Sequence, residues 1–328
     1  MTYQPKLGLI ETEKAIKYIK DTFERTLAKT LNLTRVSAPL FVLPETGLND
    51  HLNGYERAVT FDVLALGKNV EIVQSLAKWK RMALQKYGFQ IGEGLYTDMN
   101  AIRRDETLDP LHSIYVDQWD WEKIIEQKDR TIDHLKQIVT QIYAVIYATA
   151  CQVSNKYPVF SYDLPPKIVF ITTKELEEKY PTLSPKEREN AITKQAKAVF
   201  IMQIGWPLTD GKSHDGRAAD YDDWTLNGDI LLWYEPLNQA MELSSMGIRV
   251  DQYSLLKQLQ AKNEEYKLTN PFVTAIINRQ LPLTIGGGIG QSRLCMYFLQ
   301  KQHIGEVQAS IWSDEILQAL HMKNIHLL

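Results

Sequence analysis

The chain has 328 residues, 44% of them hydrophobic and 23% charged, the make-up of a globular protein with one large or two modest cores. A net charge of −3 argues against an extended nucleic-acid surface, which shows as a basic patch. No apolar run is long enough to span a bilayer, the first five residues lack the apolar core of a signal peptide, and Cys151 and Cys295 alone make neither a disulfide framework nor a cysteine zinc site, so a reducing cytoplasm is the expectation.

Thr12 is placed to cap a helix running to about Leu31, with Ile16, Ile19, Phe23, Leu27 and Leu31 on one stripe. A strand with one proline is expected over Leu33–Val42. The glycines and asparagines of 47–54 mark an exposed loop. Its one carboxylate besides the flanks, Asp50, is either a turn former or a group able to close over a site. Residues 59–66 alternate, turn at 67–69 and return over 70–75, where Ser75 is placed as the N-cap of a helix. Lys78, Lys80 and Arg81 then fall on the first helical turns, where the helix dipole disfavours cations. They form either a solvated basic face or a group that holds a carboxylate.

Gly92 and Gly94 favour a tight loop before a strand that ends at Arg103. After a proline-containing turn over 108–113, a second strand ends in Gln118, Asp120 and Glu122, which share one face, with Trp119 and Trp121 on the other. That polar face is either the floor of a site for a small charged molecule or the solvated side of a hairpin. A scaffolding helix is expected over 123–155, with Cys151 inside its packing. Strands follow at 167–171 and 198–204, with capping boxes at Thr172–Glu175 and Ser184–Glu187. Residues 210–224 hold five aspartates and a histidine: a divalent-cation site, since hard cations take oxygen ligands, or a solvated loop. A strand starting at Asp229 pairs with 241–250, which places Glu242 and Ser244 on one face and Ser245 on the other if the strand stays regular. Last, a glycine run from Gly286 leads into a helix with Arg293 in its first turn, which brings backbone close to a phosphate or purine.

Several of these segments together resemble a known family. Arg103-Arg-Asp-Glu106 followed by a strand ending Gln118-Trp-Asp-Trp-Glu122 is similar to the second signature motif of class II aminoacyl-tRNA synthetases of the aspartate subgroup. Gly288-Ile-Gly-Gln-Ser-Arg293 is similar to the third, and the opening helix with its proline-containing strand to the first. The segment from Ser75 to Arg81, Leu226-Asn-Gly-Asp-Ile230, and Glu242 to Val250 resemble the ammonia-dependent asparagine synthetases of that class over nearly the whole chain. The stretch between Asp223 and Asn227 is shorter than that family's pattern.

The resemblance implies an α+β fold, a mostly antiparallel sheet flanked by helices, forming one catalytic domain over residues 1–328 and a homodimer. It implies synthesis of L-asparagine from L-aspartate, ATP and ammonia through aspartyl-AMP, with Mg2+ accompanying ATP. By the same resemblance Arg103 holds the α-phosphate and the reacting carboxyl, and Arg293 the γ-phosphate, with Gly288 and Gly290 beside the nucleotide. Glu242 and Asp229 hold the metal. Lys80 pairs with the substrate α-carboxylate, while Gln118 and Asp120 orient the rest, and Ser75, Asp222, Ser245 and Arg249 line the substrate site. Asp50 takes ammonium or its proton. An aspartyl-tRNA synthetase is the rival within the fold, but no basic tRNA-binding module flanks the motifs, so no tRNA partner is expected. A non-catalytic binding module is the rival outside it. Neither cysteine has the setting that glutamine hydrolysis needs.

Overall fold

The computed structural model describes residues 3–50, 52 and 56–328. His51, Asn53 and Gly54 of the expected loop lie outside that set, as do the first two residues. The stripe from Ile16 to Leu31 is buried along α1 (Leu9–Leu31). The helix starts earlier than expected. Gly8 is its N-cap, and Thr12 is buried in the first turn with its hydroxyl donating to the Leu7 carbonyl. Pro39 lies between two short strands, β1 (Leu33–Arg35) and β2 (Phe41–Val42), where one strand was expected. β2 joins β3 (Thr60–Val63) and β4 (Lys68–Ile72) in a small antiparallel sheet. The turn spans residues 64–67, not 67–69, and ends on Gly67 at φ +60°. Next, α2 (Ala77–Tyr87) takes Leu76 as its N-cap residue, so Ser75 sits one position outside, with Oγ accepting from the Ala77 amide.

The main sheet is built from β1, β5 (Gly94–Ile102), β6 (Tyr115–Ile124), β7 (Val169–Thr172), β8 (Ala198–Met202), β9 (Asp222–Tyr234), β10 (Gln239–Arg249) and β11 (Thr284–Gly290), in the order β1-β5-β6-β11-β10-β9-β8-β7. It is a mixed sheet, which corrects the expectation of a mostly antiparallel one. The pairings at its two edges, β1 with β5 and β7 with β8, are parallel. β1 reaches β5 through the small sheet and α2, and β7 reaches β8 through α4 (Thr173–Lys179) and α5 (Pro185–Ala196), crossover connections of the kind a parallel pair needs. The short connection between β9 and β10 reverses the chain as a hairpin. Both capping boxes form as expected, at the starts of α4 and α5.

Trp119 and Trp121 point into the core, under a layer made by α1, α3 (Ile132–Lys156) and α8 (Gln291–Leu299). α3 starts nine residues later than expected because β6 runs on to Ile124, a 3-10 turn follows at Gln127–Asp129, and Thr131 is the N-cap. Cys151 is exposed, not packed; it lies off the stripe of Leu135, Val139, Ile142, Ile146 and Val153 that faces the core. A smaller apolar cluster lies under α6 (Gln252–Lys262) and α7 (Pro271–Ile277), and α9 (Asp314–Met322) lies near the C-terminus. The opposite face of the central strands is polar, and it carries the site.

Candidate active site

The alternation of β6 decides the floor. With both indoles committed to the core, Gln118 and Asp120 face a cavity of about 510 Å3 on the other side of the sheet. α2 lies across this face, and Lys80 reaches down from it. Its ammonium is fully buried, 3.1 Å from Asp120 and 3.9 Å from Glu122, and donates to the Gly287 carbonyl at 2.9 Å. Burial lowers the Lys80 pKa and Asp120 opposes that. Asp120 gives one oxygen to Lys80, while its other oxygen is buried without a protein partner. The cations of α2 are therefore not a solvated face: Lys78 pairs with Asp220 at 2.7 Å, and Arg81 donates to the carbonyls of Pro282 and Val250.

Behind the floor, Glu122 accepts from Arg249 Nε at 2.9 Å, from Arg249 Nη2 at 2.7 Å and from Thr284 at 2.7 Å. Burial works to raise its pKa, but the Arg249 guanidinium wins and holds the carboxyl below its usual range. Arg249 also pairs with Asp222. A β-bulge in β10 between Glu242 and Ser244 shifts the alternation by one residue. Ser245 thus joins Glu242 on the cavity wall, and Ser244 is buried; a regular strand had placed Glu242 and Ser244 together.

The acidic span also differs from expectation. Residues from Asp222 onward are strand β9, not loop, and their carboxylates are taken by arginines: Asp222 by Arg249, Asp223 by Arg130 at 2.8 Å, and Asp229 by Arg217. The glycine run is likewise a strand, β11, between β6 and β10. A side-chain carbon at Gly288 would stand 2.3 Å from Gln118 Oε1 and 2.8 Å from Asp120 Oδ1, so glycine there makes room for the floor. Gly290 is the N-cap of α8, and Arg293 in the first turn donates to the Glu242 carbonyl at 3.0 Å and lies 4.0 Å from its carboxylate.

The cavity wall includes Asp50, Ser75, Lys80, Arg103, Gln118, Asp120, Asp222, Glu242, Ser245, Arg249, Gly288, Gly290 and Arg293. Asp229 is the residue marked in the sequence that does not line it. It lines an adjoining chamber of about 190 Å3, which shares Glu242 and Asp215 with the main cavity. Arg103 is only loosely engaged, 3.9 Å from Glu106, and its Nε is buried without a partner. Asp50 is buried, with one oxygen bonded to the Leu52 amide and the other without a hydrogen-bond partner among the described residues. Burial lifts its pKa to about 6, with Asp220 adding to the rise and Lys78 and Arg103 opposing it.

Two contributors were missed in the sequence. Asp117 accepts from the Ser292 amide at 3.0 Å and from Gln308 at 3.2 Å and pairs with Lys20 at 3.0 Å, which fixes the start of α8 and so the base of Arg293. Its place one residue before Gln118 was the available signal. Arg217 lines the cavity from the loop before β9, and nothing in its local sequence marks it.

As a metal site, the described residues hold no cluster of three or more His, Cys, Asp or Glu side chains. Glu242 and Asp229 line one chamber, and the second oxygen of Asp229 is buried without a partner. Two carboxylates suit a magnesium ion that takes its remaining ligands from water and a nucleotide's phosphates. No helix among the described residues is long and apolar enough to cross a membrane.

This sheet, with a polar floor on its central strands and arginines at two walls, defines the class II aminoacyl-tRNA synthetase-like fold. Among solved structures the chain superposes on an asparaginyl-tRNA synthetase of Pyrococcus horikoshii complexed with asparaginyl-adenylate, with a TM-score of 0.67 and 16% identity over 92% of this chain and 70% of that one. An Entamoeba histolytica asparaginyl-tRNA synthetase gives 0.64 and 14% over 92% and 66%, so the chain spans about two thirds of that synthetase.

The sequence narrows the class. The family described as aspartate-ammonia ligase matches residues 10–324. An aspartate–ammonia ligase of Ruminiclostridium cellulolyticum is 60% identical over 99% of this chain and 97% of its own, and one of Bacillus cereus is 58% identical over 99% of both. One of Levilactobacillus brevis is 56% identical over 100% of this chain and 98% of its own. The chain belongs to the aspartate–ammonia ligase family.

Proposed function

We propose that the cavity makes L-asparagine from L-aspartate, ATP and ammonia in two steps, through an enzyme-bound aspartyl-AMP. In the first step an oxygen of the side-chain carboxylate attacks the α-phosphorus, a new P–O bond forms, and pyrophosphate leaves. In the second, ammonia attacks the acyl carbon, AMP leaves, and the nitrogen loses a proton. Such chemistry needs position and charge neutralisation more than covalent help.

One observation carries this reading: a single cavity sorts its charges by place. At the floor, the free oxygen of Asp120 suits the substrate ammonium, and Lys80 its α-carboxylate. Gln118, Ser75, Asp222, Ser245 and Arg249 surround the rest of the amino acid. At the walls, Arg103 presents an uncommitted Nε to the reacting carboxyl and α-phosphate, and Arg293 stands where the outer phosphates would extend, with Gly288 and Gly290 beside the nucleotide. Glu242 and Asp229 would hold magnesium, which supplies charge neutralisation for the leaving pyrophosphate. Asp50, half-satisfied and lifted to about 6, is suited to accept the proton that ammonium sheds. On the same reading residues 1–328 act as one catalytic domain, as a homodimer, in the cytoplasm and without tRNA.

The test is product analysis with L-aspartate, ATP, magnesium and ammonium. Asparagine, AMP and pyrophosphate in equal amounts are expected. Formation of ADP and phosphate, or a requirement for tRNA, would overturn the reading.

A further inference from the structure

Arg217 is held in a way that its packing does not require. It leaves the loop before β9 and points at Asp229, pairing with that carboxylate through Nη2. Nη1 lies 2.7 Å from Asp215 and donates to the Gly216 carbonyl at 2.8 Å. Yet Arg217 Nε is buried with no hydrogen-bond partner among the described residues, and so is the second oxygen of Asp229. Both members of the ion pair are half-used. Glu242, which lines the adjoining chamber together with Asp229, Asp215 and Glu189, lies 4.0 Å from Arg293. Each of the two carboxylates suited to a cation thus already faces a guanidinium.

We propose that Arg217 is a resident counter-ion, exchanged for the divalent cation that arrives with the nucleotide and then free to pair with the triphosphate. The inference rests on the placement of that cation at Asp229 and Glu242. A divalent ion on Asp229 would bring two cationic groups against one buried carboxylate, which is strongly unfavourable in a partly desolvated chamber. The guanidinium must then leave, and it lines the cavity where polyphosphate is expected. A planar guanidinium matches phosphate oxygens in paired hydrogen bonds.

The loop itself need not open. His214, buried at its centre, contacts Glu189 of α5 at 3.1 Å, and Thr209 donates to Glu177 at 2.8 Å. These anchors confine the exchange to a rotation of the Arg217 side chain. The arrangement gives the empty enzyme a defence against idle metal: a free divalent ion must displace Arg217 with nothing to receive it, whereas the ion in a nucleotide complex brings the phosphate that does.

The experiment measures binding of Mn2+ alone by electron paramagnetic resonance, with no nucleotide or turnover. Arg217→Gln is expected to bind free Mn2+ about tenfold more tightly than the wild type, and to bind the Mn2+–ATP complex more weakly. Adding Asp229→Asn to Arg217→Gln should abolish the gain. If Arg217→Gln does not fold by circular dichroism, Arg217→Met, which removes the charge and keeps an apolar stem, should show the same gain of about tenfold. Unchanged affinity for free Mn2+ in the folded variant would overturn the counter-ion inference. Failure of the cation placement is told apart by Asp229→Asn and Glu242→Gln: if neither weakens Mn2+–ATP binding, the cation lies elsewhere.

Discussion

Substitution of Gly288 by Ala isolates the floor of the cavity from the stability of the fold. The added carbon would stand 2.3 Å from Gln118 Oε1 and 2.8 Å from Asp120 Oδ1, where ordinary contact begins at 3.4 Å. The nearest atom is the end of a flexible amide, so the side chain yields and the backbone does not. The recoil is about 1 Å, and it moves the two groups assigned to orient the amino acid. Misplacement of that size costs on the order of 100-fold in kcat/KM. The loss should fall on aspartate, measured as aspartate-dependent pyrophosphate release, and leave the KM for ATP within a few-fold. The melting temperature should move little, because no buried group loses its partner. Gly287→Ala is the contrast. Its added carbon meets Met246 Cβ at 2.5 Å and the Ser245 carbonyl at 2.8 Å, next to rigid backbone, so there the fold is destabilised first. A Gly288→Ala enzyme with kcat/KM for aspartate within threefold of the wild type would refute the assignment of Gln118 and Asp120 to substrate.

Three further substitutions probe separate parts of the site. Lys80→Met leaves Asp120 without its buried partner and should cost about 3–5 kcal/mol in urea unfolding, along with aspartate affinity; a loss under about 1 kcal/mol would show that the pair is not the support inferred from its burial. Arg103→Ala should lower pyrophosphate release by about 100- to 1,000-fold with little change in melting, since the one ion pair of its side chain among the described residues is a loose one at 3.9 Å; retained activity removes Arg103 from the chemistry. For Asp50→Asn the sign follows from a folded pKa of about 6 against 3.8 for the unperturbed group. The native carboxyl holds its proton more tightly than the unfolded one, so it favours folding at low pH and that contribution is lost as pH rises from about 4 to 6. At about 1.36 kcal/mol per pH unit the ceiling is about 3 kcal/mol, so unfolding curves should show Asp50→Asn gaining on the wild type across that window, and parallel curves would count against the burial of an ionising Asp50.

The hairpin of β5 and β6 was legible because its chemistry repeats every second residue. Once Trp119 and Trp121 are committed to the core, Gln118 and Asp120 have nowhere else to point. The helix stripe of α1 was readable for the same reason at its own period, though not its start, because Gly8 caps it by backbone geometry alone. What failed were features set by a neighbouring strand. The bulge that turns Ser245 toward Glu242 exists only in the register of β10 against β9. The span from Asp222 to Asp229 is loop-like in composition and an inner strand in fact, because Arg249 and Arg130 neutralise two of its carboxylates from other elements and Arg217 a third from the loop just before the strand. No local pattern contains Arg249 or Arg130, and nothing in the spacing alone pairs Arg217 with Asp229. The parallel edges of the sheet were hidden likewise, since they depend on which strand each crossover returns to and from which end.

The glycine run shows how a correct residue can be chosen for an incomplete reason. Read alone, it brings backbone near a phosphate. In the structure β11 lies between β6 and β10, and its glycines are demanded by side chains that cross over it from both neighbours. At Gly286 a side-chain carbon would fall 1.9 Å from Glu122 Oε2 and 2.7 Å from Arg249 Nη2, the buried pair behind the floor; at Gly288 it would strike Gln118 and Asp120. The floor is therefore the volume that β11 leaves empty. A sheet normally fills that volume with its own side chains, and here it is given to an ion pair that fixes Arg249 and to the groups assigned to aspartate. On the proposed reading, specificity for a small amino acid with three charged groups follows from two opposed requirements. The strand must be stripped of side chains to admit the substrate, and the charges exposed by stripping it must be satisfied by Lys80, Thr284 and Arg249 so that the fold survives without the ligand.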